Sequence, residues 1–196
     1  MPEFEKSLTG FSGAKHALAV NSATSALHIA CKALDLKSGD MAWTSPEKLE
    51  FCRADMNEAT ISVSSDERRI YIYNDASGGG DIYYSDFYDG RWSALKSIGD
   101  HINGKFTWEG QPSISADNQT LYFASARETS DTHFGGMDLY KVERLPNGNW
   151  GNPINLGPKI NTPGNEKSPF MHSDSYTLYF SSDGHPGVGG QDIFFA

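Results

Sequence analysis

The sequence predicts a mainly β protein: a partial β-propeller of about three blades, each a four-stranded antiparallel sheet, preceded by a short helical segment. Three observations predict it. Residues 57–196 repeat themselves at steps of about 50 to 58 residues. Aromatic residues crowd the repeat, with 22 of the 24 lying beyond residue 40, and only three of the 20 glycines come before residue 41. Short aromatic strands between Gly, Asp, Asn and Pro turns are the pattern of small antiparallel sheets rather than of helices.

The repeat carries four parallel series. Glu58, Glu109 and Glu166 correspond, as do Asp66, Asp117 and Asp174; Asp81, Asp138 and Asp192 form a third series, and Trp43, Trp92 and Trp150 a fourth. Self-similarity at a fixed period of this length marks stacked or radial repeat architectures. In the middle copy the strand-like pieces are PSIS (112–115), LYFAS (121–125), DLYKV (138–142) and the stretch after Trp150. Alternation places Leu121 and Phe123 on one face and Tyr122 on the other. Asp117 falls in the turn between the first two pieces, where a short carboxylate accepts backbone N–H bonds and holds the turn tight. Four short strands per repeat with Gly punctuation is the pattern of a propeller blade. The blades are expected at about 57–98, 108–156 and 165–196, in a domain covering 41–196.

Residues 1–40 are built differently, from Ala and Leu. Phe4, Leu8 and Phe11 repeat at helical spacing, and HALAV (16–20) reads as a short buried strand. Asn21 and Ser22 are good N-caps for a second helix from about Ala23 to Leu36, with Lys37 and Gly39 near its end.

Composition excludes several function classes. The formal net charge is −9, and all of it falls in residues 41–196, since residues 1–40 hold four acidic and four basic side chains. A phosphate backbone needs a cationic partner, so no nucleic acid partner is expected. No apolar run approaches the roughly 18 residues of a membrane helix, so no membrane span is expected. The opening MPEFEKSLTG lacks the basic-then-apolar layout of a signal peptide. Cys31 and Cys52 do not make a metal or disulfide framework, and no metal is expected.

The pattern (N)E-x-x-P-x-x-S-x-D-x-x-x-LYF-x-S, then GG-x-DIY, then G-x-W-x-x-P-x-NLG-x-x-INT, resembles the TolB-like, WD-repeat-like propeller repeats of Bacteroidetes envelope proteins associated with outer-membrane-protein-A-like domains. NLGPKINT (155–162) and LYFSSDGHPGVGGQDIF (178–194) carry the resemblance most fully; the first copy departs from it, with Leu95 at the proline position. The resemblance implies a non-catalytic interaction or scaffold module in the periplasm or at the outer membrane. Its partner would be a protein or envelope component bound through the propeller face. Self-association through open blade edges is expected as well.

EFEKSLTGFSGAKHALAVNSATSALHIACKALDLKSGD (3–40) resembles the start of a DegT-class, pyridoxal-phosphate-dependent nucleotide-sugar aminotransferase of the pseudaminic acid type. In that family the NSATSAL turn opens a helix whose N-terminus holds the cofactor phosphate, so the resemblance implies Ala23 and Thr24 as phosphate contacts. The lysine for a Schiff base and the acidic partner of the pyridinium lie far downstream in the family, where this chain is blade repeat. Lys6, Lys15, Lys32 and Lys37 match no such motif. No cofactor is therefore expected, and the alternative function is an inactive aminotransferase fragment joined to a propeller. W-x-x-P-x-x-L (Trp43, Pro46, Leu49) fits either resemblance, so the junction falls at about 40–47.

A further alternative is an incomplete propeller hydrolase. SADNQT (115–120) resembles the Asp-boxes of sialidase propellers, whose role there is structural. His133 and His185 occupy comparable loops beside Asp131 and Asp183 and read as exposed loop residues. The glutamate series reads as local caps, with a shared cation near a central channel as the other possibility. Tyr71, Tyr122 and Tyr179 read as inter-blade packing.

Overall fold

The computed structural model describes residues 48–53, 55–75, 78–128 and 133–196. The helices expected in residues 1–40, with Ala23 and Thr24, and Trp43 lie outside the described residues.

Among the described residues, three antiparallel sheets follow one another in sequence. The first has the order β1 (Glu58–Val63), β2 (Arg69–Asn74), β3 (Asp81–Tyr88) and β4 (Arg91–Trp92), with β5 (Lys96–Ser97) also paired to β3. The second runs β6 (Glu109–Ile114), β7 (Thr120–Ser125), β8 (Asp138–Glu143) and β9 (Ile154–Asn155). The third is β10 (Glu166–Met171), β11 (Leu178–Ser182) and β12 (Asp192–Phe195). The outer strand is split in the same way in both complete sheets. Lys96 and Ser97 pair with Tyr84 and Tyr83, as Ile154 and Asn155 pair with Lys141 and Tyr140.

Each sheet's first strand lies against the sheet before it: β6 against β1, β2 and β3, and β10 against β6, β7 and β8. Successive meandering sheets packed face to face, with their first strands side by side, are propeller blades. Strand alternation explains the packing. In β7, Leu121 and Phe123 are buried toward the first blade, while Tyr122 turns to the third. One cluster, including Tyr71, Ile82, Ile114, Phe123, Tyr140 and Trp150, fills the seam between blades one and two. A second, with Leu139, Met171, Leu178 and Phe180, fills the seam between blades two and three.

Each first strand is broken by a β-bulge, between Ala59 and Ile61, Gly110 and Ser113, and Lys167 and Phe170. In the last two, Gln111 (φ 54°) and Ser168 (φ 51°) take up the left-handed conformation that L-residues rarely adopt. The Gln111 side chain spans the seam there, its Oε1 accepting a hydrogen bond from Ser168 N at 2.7 Å. Gly80 is required by close approach: at φ 88°, a Cβ there would strike the paired rings of Tyr73 and Trp108.

Candidate functional site

Two of the three glutamates that open the blades, Glu109 and Glu166, are fully buried, and each of the three works inside its own blade. Glu109 Oε1 accepts from Thr107 Oγ1 (2.8 Å) and Ser125 Oγ (2.6 Å), and Oε2 from Gly104 N (2.7 Å). Arg127 Nη2 stands 3.3 Å from Oε1. Glu166 repeats this: Oε1 accepts from Thr162 Oγ1 (2.7 Å) and Ser182 Oγ (2.5 Å), and Oε2 from Thr162 N (2.8 Å). One detail differs. The hydroxyl comes from Thr162 itself in blade three, but from Thr107 over Gly104 in blade two, where a Cβ on Gly104 would lie 2.0 Å from Thr107 Oγ1. Glu58 is half-buried and more loosely held, accepting from Arg53 N (3.2 Å) and Asn74 Nδ2 (3.5 Å). The bonding is local capping. Among the described residues no group of three or more His, Cys, Asp and Glu is placed to hold a metal.

The second series holds turns. Asp117 Oδ1 accepts from Ser115 Oγ (2.5 Å) and Gln119 N (2.9 Å), and Asp66 Oδ1 from Ser64 Oγ (2.6 Å) and Arg68 N (3.2 Å). Asp174 accepts from the backbone of Tyr176 and Thr177 and from the Thr177 hydroxyl. Serine hydroxyl bonds hold the carboxyls of Asp66 and Asp117 below the usual range, and backbone N–H bonds do so for Asp174. A carboxyl lowered in the folded state stabilises it above the unfolded pKa, and that contribution is lost as pH falls through the folded value. By losing the bonds from Ser115 Oγ and Gln119 N, Asp117→Ala is expected to cost about 1 kcal/mol at neutral pH, while Glu128→Ala in an exposed loop changes little. Urea midpoints measure both. The gap between wild type and Asp117→Ala should close on acidification below the ordinary carboxylate range; equal midpoints at neutral pH would contradict the register.

The third series is uneven. Asp138 is fully buried, its Oδ2 accepting from Phe134 N and Asn155 Nδ2 at 2.9 Å each. Asp192 Oδ2 accepts from Val188 N (2.7 Å) and Gly189 N (3.1 Å), while Asp81 is half-buried at the start of β3. Of the tryptophans, Trp92 packs on Phe87 with ring centroids 5.1 Å apart. Trp150 packs on Tyr71 across the seam and lies under the Arg144 guanidinium. Tyr71 and Tyr122 pack between blades, but Tyr179 lies on an open face.

The histidines correct the expectation of exposed loops. His185 is half-buried, edge-on to Phe180 and tilted against Phe194, with Nε2 2.8 Å from the Ile160 carbonyl, which fixes Nε2 as the donor. Arg127 takes the same place in blade two, over Phe123 and Tyr140 and bonded to the Ile102 carbonyl. His133 is half-buried too, with Nδ1 3.8 Å from Asp138 Oδ2.

Two asparagines went unrecognised in the sequence. Asn103 Oδ1 accepts from Ile82 N (3.0 Å) and Nδ2 donates to Ile82 O (2.9 Å) and Ser97 Oγ (3.1 Å). Asn161 does the same to Leu139 N (2.8 Å), Leu139 O (3.0 Å) and Asn155 Oδ1 (2.8 Å). Each carboxamide stands in for a strand neighbour of the preceding blade's third strand. On the inner side, Ile114 N donates to Ser62 Oγ and Met171 N to Ser113 Oγ, both at 2.9 Å. Every seam thus has a hydroxyl clasp at its inner side and a carboxamide clasp at the third strand.

Along the first strands runs an open cleft of about 530 Å³, bordered by Ser62, Pro112, Ser113, Ser168, Pro169 and Phe170 among others. All of the side chains lining it are serine, proline or apolar residues, without a charge.

The geometry defines a blade-repeat protein whose recurring carboxylates belong to its framework. Residues 1–47 match the DegT/DnrJ/EryC1/StrS aminotransferase family. Over 44 residues the chain is 54% identical to the spore coat polysaccharide biosynthesis protein SpsC of Bacillus subtilis (strain 168), covering 22% of this chain and 11% of that protein's length. Among solved structures, it is similar to TolB from Acinetobacter baumannii, with a TM-score of 0.46 and 14% identity over 71% of this chain and 29% of that one. It is also similar to a prolyl endopeptidase, with a TM-score of 0.43 and 14% identity over 71% of this chain and 20% of that one.

Proposed function

We propose that residues 48–196 are a non-catalytic interaction module of a cell-envelope protein, binding a protein segment in the cleft along the inner strands. The observation that carries this reading is the uncharged lining of the cleft in a chain of net charge −9. The carboxylates that recur in every blade are meanwhile turned into caps and turn bonds. A surface of serine hydroxyls, prolines and Phe170 suits an extended neutral peptide, which brings its own backbone donors and acceptors. The test is a photo-crosslinking residue at Ser168, compared with one at Glu128, in envelope preparations. Adducts of discrete mass at 168 alone are expected; equal labelling at both, or none at 168, overturns the reading. Placement in the periplasm or at the outer membrane rests on the repeat resemblance, and cell fractionation tests it.

A second reading attaches to residues 1–47, where the aminotransferase family matches. We propose that this segment is catalytically inactive here, because the lysines of residues 1–40 match no Schiff-base motif. Mixing the protein with pyridoxal phosphate is expected to leave its absorbance unchanged. A yellow internal-aldimine band, abolished by borohydride or by a lysine substitution, would reverse this.

A further inference from the structure

We propose that the recess between the outer strand of blade one and the turn at 145–149 of blade two is an anion site, taking the phosphate monoester group of a small soluble molecule. It shares no lining residue with the inner cleft and stands independently of what that cleft binds.

The recess, of about 340 Å³, is lined by Arg69, Tyr84, Ser97, His101, Arg144 and Trp150 among others, and no carboxylate lines it. In a chain of net charge −9 that lining is a local reversal of sign. Both guanidiniums are held in place. Arg144 lies 4.2 Å over the Trp150 ring. It donates from Nε to Asn118 O (3.2 Å), from Nη1 to Gly148 O (2.9 Å) and from Nη2 to the Tyr71 hydroxyl (3.2 Å). All three acceptors are neutral, so this half-buried cation has no carboxylate among its bonded partners. Two of its five N–H groups remain for a ligand. Arg69 lies 4.3 Å over Tyr84, donates from Nε to Asp86 Oδ1 (2.6 Å) and stands beside the same Tyr71 hydroxyl. The Ser97 hydroxyl accepts from Gly99 N and Asn103 Nδ2, which leaves its own proton to donate.

The charges in contact identify the kind of anion. Arg69, Lys96 and Arg144 are linked through Asp86, Tyr84 and Tyr71, and Asp86 is the one carboxylate in that linked set. Two positive charges are left over. A carboxylate would balance one of them, whereas a phosphate monoester carries about −1.5 to −2 at neutral pH. Planar guanidiniums also suit phosphate oxygens, which accept from both forks at once. An acidic chain is repelled by an anionic lipid surface, which favours a soluble molecule over a lipid headgroup.

Neither arginine belongs to the repeat. Arg69 stands where blades two and three have Thr120 and Thr177. Arg144 bridges to Trp150 as Phe87 pairs with Trp92, so blade one carries a phenylalanine at that position. There the ring packs on the tryptophan at 5.1 Å, and in blade two a cation takes its place. Blades that are built with threonine and phenylalanine at these positions do not need the charges. Their convergence on one recess, beside a single buried hydroxyl, is directed at a ligand.

Titration calorimetry of the full 196-residue protein with glycerol 3-phosphate, at fixed ionic strength, tests this. One saturable site is expected, binding more tightly than dimethyl phosphate, which carries a single charge. Arg69→Thr, which installs the residue of the other two blades, and Arg144→Gln are each expected to weaken binding about tenfold or more. Lys159→Gln removes a charge from an exposed position outside the recess and should leave the affinity unchanged. Thermal melts check that each variant folds, and Arg69→Thr carries the test should Arg144→Gln fail to fold. Absence of saturable binding overturns the proposal, as does equal affinity for dimethyl phosphate. So does a loss in Lys159→Gln as large as in Arg69→Thr, the mark of bulk charge alone. Binding to vesicles bearing phosphatidic acid without binding of glycerol 3-phosphate overturns the soluble source in favour of a lipid headgroup.

Discussion

Replacing Glu109 by alanine is expected to lower stability by about 3–5 kcal/mol, the loss typical of breaking a buried, hydrogen-bonded charge pair. The carboxylate is fully buried and accepts three hydrogen bonds besides its contact with Arg127. Alanine leaves the Gly104 N–H, two hydroxyls and a largely buried guanidinium without this acceptor, and unsatisfied buried donors are costly. Arg127 is held over Phe123 and Tyr140 and bonded to Ile102, so it does not swing free to water without undoing the seam. Glu58→Ala is expected to cost far less, about 1 kcal/mol, because Glu58 is half-buried and its two contacts are long. Guanidinium unfolding of the two variants measures the contrast. Equal losses would mean that the glutamates act through something common to all blades rather than through the local bonds described.

The parts of the fold legible in the sequence are those fixed by local chemistry. An aspartate followed by a left-handed residue (Glu67, Asn118 and Ser175, φ 57°, 60° and 60°), with Ser64, Ser115 and His172 two places before it, makes a turn whose partners lie within three residues of the aspartate. Such a turn repeats as letters. The β7 alternation was legible for the same reason: Leu121 and Phe123 face one way by strand geometry alone.

What stayed hidden depends on partners far away in the chain. Asn161 sits in a turn-rich stretch and reads as a turn former, yet its carboxamide works 22 residues back, on Leu139. Arg127 and His185 fill the same slot with different side chains, two residues after Ser125 in one case and three after Ser182 in the other. Neither identity nor offset matches, so letter comparison passes over them. The Gly104–Thr107 exchange is hidden likewise: one blade's threonine side chain is supplied by a residue three positions on.

The asparagine clasp gives the second large effect expected, from an isosteric change. In Asn161→Asp, the oxygen facing Leu139 N still accepts its hydrogen bond. The former Nδ2 becomes a carboxylate oxygen opposite Leu139 O and Asn155 Oδ1, which now lie 3.0 and 2.8 Å from that position. Two acceptor–acceptor contacts and a buried charge replace two hydrogen bonds, and a loss of about 3 kcal/mol or more is expected. Asn103→Asp should cost less. Its second partner is the Ser97 hydroxyl, which can turn to donate, leaving only the Ile82 carbonyl opposed. The sign of the pH response follows. Burial and facing acceptors disfavour the charged form and raise the folded-state pKa of the new carboxyl, so its protonated form, a donor again, restores the clasp. The destabilisation of Asn161→Asp relative to wild type should therefore be full at about pH 7 and shrink by about pH 5, still above the range in which the turn aspartates titrate. Urea unfolding of wild type and both variants at the two pH values reads the whole pattern. A gap that widens on acidification, or an Asn103→Asp loss as large as that of Asn161→Asp, would show that the carboxamides do not hold the seams by the bonds seen here.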